Sequence, residues 1–205
     1  MLILTSSNAF VAQHFIQHLP KQPSEMRLTF IPTAAEVEKG DKQWLAEDRK
    51  PLVDAGFQVI DFTLTGKTKS EVQVMLEGSD VVFVAGGNTF FLLQEMRKSG
   101  FADLIKSYVD KGLIYGGSSA GSSAAGIDIS LSKELDDPAL APELTDYQGL
   151  ELIDVAVFPH WGSEHFHNRY EKVMKAAYKK GLKIILLTDD QYLLVEDGRY
   201  TIESV

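Results

Sequence analysis

Asp80-Val81-Val82-Phe83-Val84-Ala85-Gly86-Gly87-Asn88 is the stretch that decides the fold. Its apolar run leaves no alternate position for water, which is the composition of a parallel strand covered on both faces. Gly86-Gly87-Asn88 then turns the chain, and Thr89 to Lys98 reads as a helix closed by Gly100. A strand buried on two sides needs helices above and below it.

The flanking sequence supplies them. Upstream, Leu2 to Thr5 reads as a strand and Asn8 to Leu19 as a helix, with Phe10, Val11, Phe15, Ile16 and Leu19 apolar. Arg27 to Pro32 and Phe57 to Phe62 are further strands. Between them, Asp41 to Ala55 is a charged helix with Trp44, Leu45 and Leu52 inward, broken or restarted at Pro51. Ser70 to Glu77 is a short helix opened by a capping box, Ser70-x-x-Gln73. Downstream, a helix from Ala102 to Lys111 leads into the apolar Gly112-Leu113-Ile114-Tyr115, and small residues after Ser119 open another helix.

Val155 to Phe158 and Lys183 to Leu187 are strands. Glu164 to Lys180 is a helix with Val173, Met174, Ala177 and Tyr178 inward. Tyr192 to Glu196 and Tyr200 to Glu203 form a hairpin across Asp197-Gly198. Strands alternating with helices predict one three-layer α/β/α domain over 1–205, built on a mostly parallel sheet. The polar segment from Ile127 to Gly149 carries Glu134, Asp136, Asp137 and Glu143 and exceeds an ordinary connection. It reads as a lid, a partner-binding excursion or a disordered loop.

Composition excludes several classes of function. A formal charge of −9 leaves no basic stripe for nucleic acid, although one local cation could still hold a small anion. Without cysteine there is neither a disulfide framework nor a thiolate metal site. Met1 to Thr5 is too short an apolar run for a signal peptide, and no run reaches membrane-spanning length. A cytoplasmic protein with no membrane partner is expected.

The chemistry concentrates at strand ends, where open α/β sheets gather their reactive groups. Gly117-Ser118-Ser119-Ala120-Gly121 matches G-x-S-x-G, which seats a nucleophilic serine on a sharp strand-to-helix turn; a Gly/Ser-rich connection has the same composition. A serine hydroxyl needs a base, and imidazole titrates in the right range. Among the five histidines, His14 and His18 fall on the first helix in solvent-facing or helix-end positions. His165 and His167 could join His160 and Glu164 as metal ligands, but residues two apart on a helix diverge by about 200°. No metal or other cofactor is therefore expected. His160, after an apolar strand and Pro159, is the candidate base, or else a packed histidine.

Asp189 and Asp190 follow the strand ending at Leu187 and could orient the imidazole or simply form a turn. The backbone N–H of Ala120 and the Gly86-Gly87-Asn88 turn could stabilise an oxyanion. A phosphate loop is the weaker reading of that turn, since neither Lys-Ser/Thr nor G-x-G-x-x-G is present.

Phe83-Val84-Ala85-Gly86-Gly87-Asn88-Thr89-Phe90, Gly117-Ser118-Ser119-Ala120-Gly121 and Pro159-His160-Trp161 together resemble the peptidase E family, serine peptidases of family S51 that include aspartyl dipeptidases and the related cyanophycinases. The resemblance runs from the first strand to about Val195. It implies a sheet related to class I glutamine amidotransferases, of flavodoxin-like type, with nucleophile, histidine and acid in that chain order. It further implies Ser119 as nucleophile, His160 as general base and the backbones of Gly87 and Ala120 as oxyanion hole. Asn88 and Arg169 become the expected substrate-binding residues, a small peptide the expected partner and a homodimer the expected assembly.

Two departures stand out. Where dipeptidases of the family carry glutamate as third member, this chain has Thr188-Asp189-Asp190, with Asp189 aligning best and Asp190 second. The family's Gly-Glu-Thr-Arg run after the histidine is replaced by Ser163-Glu164-His165-Phe166-His167-Asn168-Arg169-Tyr170. Arg169 is either the substrate-binding cation or a bystander. The expected activity is thus a serine exopeptidase acting from the amino end, either an Asp-X dipeptidase or a broader aminopeptidase. An esterase or amidase, or a non-catalytic binding protein on the same scaffold, is the alternative.

Overall fold

The structure, a computed structural model, describes residues 1–164 and 166–205. Among these residues the central sheet has seven strands: β1 (Leu2–Thr5), β2 (Arg27–Ile31), β3 (Gln58–Asp61), β4 (Val81–Val84), β5 (Ile114–Ser118), and β8 (Gln191–Glu196) with β9 (Arg199–Ser204). Their spatial order is β3-β2-β4-β5-β1-β8-β9. The five on the β3 side are mutually parallel, while β8 and β9 are antiparallel additions. Counted from β2, the run β3-β2-β4-β5 is the 2-1-3-4 of a flavodoxin-like sheet, and the N-terminal β1 takes the fifth place.

The period-2 alternation of strand side chains sorts them onto two faces. Val82 and Val84 join Leu2 and Leu4 in one core. Val81, Phe83 and Ala85 join Ile3, Leu28 and Phe30 in the other. The first core is covered by α3 (Lys69–Glu77), α4 (Thr89–Lys98), α5 (Phe101–Asp110) and α6 (Ala120–Ala125). The second is covered by α1 (Asn8–Phe15) and α2 (Gln43–Asp54). This is the expected three-layer arrangement.

The strands at 155–158 and 183–187 do not join that sheet. β6 (Ala156–Phe158) and β7 (Ile184–Leu186) pair in parallel as a separate two-stranded sheet. It shares a small core with α7 (Tyr170–Lys180), made by Leu131, Ala156, Phe158, Val173 and Ala177.

Several local expectations are corrected. Helix α2 runs unbroken through Pro51. Leu52 is buried as expected, but Trp44 is 36% exposed. Helix α3 is capped by Thr68 and Glu71 instead of Ser70 and Gln73, because Thr68 Oγ1 accepts from the Glu71 N–H and Glu71 from the Thr68 N–H. Helix α7 begins at Tyr170, and Met174 and Tyr178 lie outside, Tyr178 at 90% exposure.

The 127–149 segment is ordered and strapped across α4. Arg97 grips Asp146 with two hydrogen bonds, Lys98 pairs with Glu143, and Gln94 accepts from the Glu143 N–H. Among the described residues, no helix is long and apolar enough to cross a membrane.

Candidate active site

Ser119 sits between β5 and α6 with φ 48° and ψ −104°, backbone angles that a non-glycine residue holds only when its surroundings force them. Those surroundings are visible. The Ser119 N–H donates to the carbonyl of Thr5 at 3.0 Å, Ser122 Oγ donates to Thr5 and Gly117 carbonyls, and the Tyr115 hydroxyl donates to the Gly121 carbonyl. The flanking glycines are sterically required. A Cβ on Gly117 would lie 2.7 Å from the Gly121 carbonyl carbon, and one on Gly121 would lie 2.2 Å from the Val84 carbonyl oxygen. Ser118 points elsewhere: it is 1% exposed, and its hydroxyl accepts from the Asn8 N–H.

His160, just past β6, also has positive φ (59°). Its Nε2 is 2.9 Å from Ser119 Oγ and its Nδ1 is 2.7 Å from Asp189 Oδ1. Burial lifts the Asp189 carboxyl, but hydrogen bonds from His160 and Ser6 outweigh it and hold the group below the ordinary carboxylate range. Asp190 is not in this line; its side chain accepts from the Thr188 hydroxyl.

These groups open onto a cleft of about 570 Å³ at the carboxyl edge of the sheet. Ser6, Gly86, Gly87, Ser119 and His160 line it, together with Trp44, Phe10 and Phe166. Among the described residues, four carboxyl residues, Glu38, Glu47, Asp48 and Asp136, line it with one cation, Arg169.

Comparison with known proteins gives the arrangement a lineage. The model of peptidase family S51 matches residues 1–203. The chain belongs to family S51. An uncharacterized peptidase of Listeria innocua is 32% identical over 196 residues, 96% of this chain and 92% of the relative. Peptidase E of Haemophilus influenzae is 30% identical over 172 residues, 81% and 72% of the two chains. A putative peptidase E from Listeria monocytogenes, known as a crystal structure, superposes with a TM-score of 0.91 at 27% identity, covering 100% of this chain and 98% of that one. The molecule is a peptidase, and hence a hydrolase.

In this S51 peptidase the expected site residues fall out unevenly. Ser119, His160, Asp189, Gly87 and Ala120 come together: Gly87 lines the cleft with Ser119, and Ala120 opens α6 beside it. Gly87 has φ +127°, and a Cβ there would lie 2.3 Å from the Ala34 carbonyl oxygen, so only glycine brings this turn against the 33–35 segment.

Asn88 is corrected. It is 1% exposed, its Oδ1 caps α4 by accepting from the Phe91 N–H, and its Nδ2 donates to the Asp137 carbonyl. That side chain is committed to holding α4 and the 127–149 strap. Arg169 is half-buried in the cleft wall, donating to the Glu134 carbonyl and lying against the Phe166 ring. His167 is exposed, its Nδ1 near the Glu164 carbonyl, and His165 lies outside the described residues.

Sequence reasoning passed over Ser6, Asp48 and Asp136. Asp48 reaches from α2 to accept from the N–H groups of Asn8 and Ala9, capping α1; burial raises its carboxyl despite those bonds. Asp136 accepts from the Thr89 N–H and hydroxyl at the start of α4; burial lifts it to about 6 against those bonds, with Glu38 adding to the rise. Only Ser6 carried a signal that could have found it: it follows β1 at the same carboxyl edge as the other site residues.

Proposed function

We propose that this peptidase is a serine exopeptidase that removes residues from the amino end of dipeptides or short peptides, using Ser119, His160 and Asp189 and an acyl-enzyme. The observation that carries the reading is the continuous hydrogen-bond line from Ser119 Oγ through both ring nitrogens of His160 to Asp189. The ionised Asp189 holds the proton on Nδ1, leaving the Nε2 lone pair to face the serine hydroxyl.

In the first half-reaction Ser119 Oγ attacks the scissile carbonyl carbon as Nε2 takes the hydroxyl proton. The main-chain N–H groups of Gly87 and Ala120 receive the developing oxyanion. Collapse breaks the C–N bond, and the imidazolium returns its proton to the departing amine. In the second half-reaction water gives its proton to the same imidazole, attacks the ester and releases the acid, and Ser119 regains its hydrogen.

The lining of the cleft supports recognition of a free amino terminus, because Glu38 and Glu47 can attract an α-ammonium group, Asp48 and Asp136 being engaged at the starts of α1 and α4. Arg169 offers a fork for one carboxylate, whether an aspartyl side chain or a dipeptide's own carboxyl end. The excess of acid over base favours the broader aminopeptidase over strict Asp-X preference.

Replacing Ser119 with Ala is expected to lower kcat on the order of 10⁶-fold with melting temperature unchanged. Retained turnover in that variant would defeat the proposal. A panel of Asp-X dipeptides, neutral X-X dipeptides and acyl esters separates the dipeptidase, aminopeptidase and esterase readings.

A further inference from the structure

Ser6 is fully buried at the end of β1, and three groups converge on its hydroxyl. It donates to Asp189 Oδ1 at 2.6 Å and accepts from the main-chain N–H of His160 at 2.7 Å. His160 Nδ1 lies 3.4 Å away. A hydroxyl has one proton, and here the carboxylate takes it; the shorter 2.7 Å contact shows that Nδ1 spends its own proton on the same Asp189 oxygen.

We infer that Ser6 is a positioning residue of the site, fixing the Asp189 carboxylate and the His160 main chain at a set distance from Ser119. The inference rests on the serine-peptidase reading of the cleft.

Three observations support it. First, His160 is held at positive φ, and the N–H that Ser6 accepts is the one main-chain donor at that residue. Second, Ser6 anchors the same Asp189 carboxyl oxygen that receives the imidazole N–H. Third, the neighbour of Ser6 does the same for the nucleophile: the carbonyl of Thr5 accepts the Ser119 N–H, and Thr5 Oγ1 donates to the Gly117 carbonyl. The single dipeptide Thr5-Ser6 therefore ties the serine, at the end of β5 in the seven-stranded sheet, to the histidine that follows β6 of the small sheet and to the acid on the link from β7 to β8.

The test uses the intact protein with Ser6→Ala, and with Ser6→Cys, which keeps the volume while donating weakly, in case the alanine variant does not fold. Expected in either is a fall in kcat of about 10- to 100-fold with KM little changed, counted per site labelled by a serine-directed phosphonate. Ser6→Thr, which retains the hydroxyl, is expected to recover most of it.

NMR titration of the His160 ring supplies a readout that needs no turnover. Without the serine donor the Asp189 charge is less dispersed and favours the imidazolium more, so the ring should titrate at higher pH. The other charged groups around His160, namely Asp48 from α2 and Asp136 from the 127–149 strap, with Glu38, Glu47 and Arg169 lining the same cleft, are unchanged by these substitutions. Parent-like kcat per labelled site together with an unmoved His160 titration overturns the role of Ser6. A parent protein that cleaves no peptide overturns the reading of the cleft instead, and the ring titration still decides for or against Ser6.

Discussion

Adjacent aspartates do different work here. Asp189 takes hydrogen bonds from His160 and Ser6, while Asp190 is exposed, binds Thr188 through its side chain and receives the Val205 N–H on its carbonyl. Asp189→Asn is expected to lower kcat about 10⁴-fold. Asp190→Asn, a surface change, should stay within about twofold; a reversed ranking in steady-state kinetics would move the acid to Asp190. Two of the perturbed carboxyls at the site, Asp189 and Asp136, act oppositely on stability. Asp189 is depressed in the fold, so its contribution is complete above its unfolded value and lost as pH falls through the folded one. Asp136 is raised to about 6, so its contribution is present below its unfolded value near 4 and lost as pH climbs through about 6. Asp136→Asn keeps an acceptor for Thr89. Its melting temperature relative to the parent should therefore rise across that window, and a difference flat with pH would contradict the assignment.

At the scale of single elements, legibility followed how strongly local chemistry constrains the chain. Helix α4 was readable to its ends, because Asn88 caps it and glycine closes it. The Asp197-Gly198 hairpin was equally plain, with both turn residues at positive φ between paired Glu196 and Arg199. Helix α3 was read as starting at Ser70-x-x-Gln73, but Thr68 and Glu71, two residues earlier, form the cap. Thr68→Ala is expected to cost about 1 kcal/mol, whereas Ser70→Ala should lie within about 0.5 kcal/mol in chemical denaturation. Equal losses would mean that the cap is shared. Helix α7 misled for another reason. Val173/Ala177 and Met174/Tyr178 are both apolar pairs at i,i+4 spacing, and the pattern alone does not say which meets the core. Pro51 was read as breaking or restarting the helix, yet α2 continues through it.

For the whole molecule, alternation of strands and helices was enough to give the layered fold, and the motifs at strand ends were enough to nominate Ser119 and His160, while the choice of Asp189 over Asp190 came from the family resemblance. What alternation could not give is which strands share a sheet. β6 and β7 have the same apolar composition as the central strands, and only the long-range pairing separates them. Ser6 was missed for a related reason: its place after β1 put it at the right edge of the sheet, but its role comes from partners 154 and 183 residues away. The second sheet has a practical corollary. One face of it packs on α7 through a small core, while Val157, Ile185 and Leu187 on the other join the core beneath α3 to α6, and an outer layer of this kind can open at a lower free energy than the central strands. A preparation can then keep most of its circular-dichroism signal while its imidazole has drifted from the serine. Purity and foldedness would in that case overstate the working fraction, which only active-site counting reports.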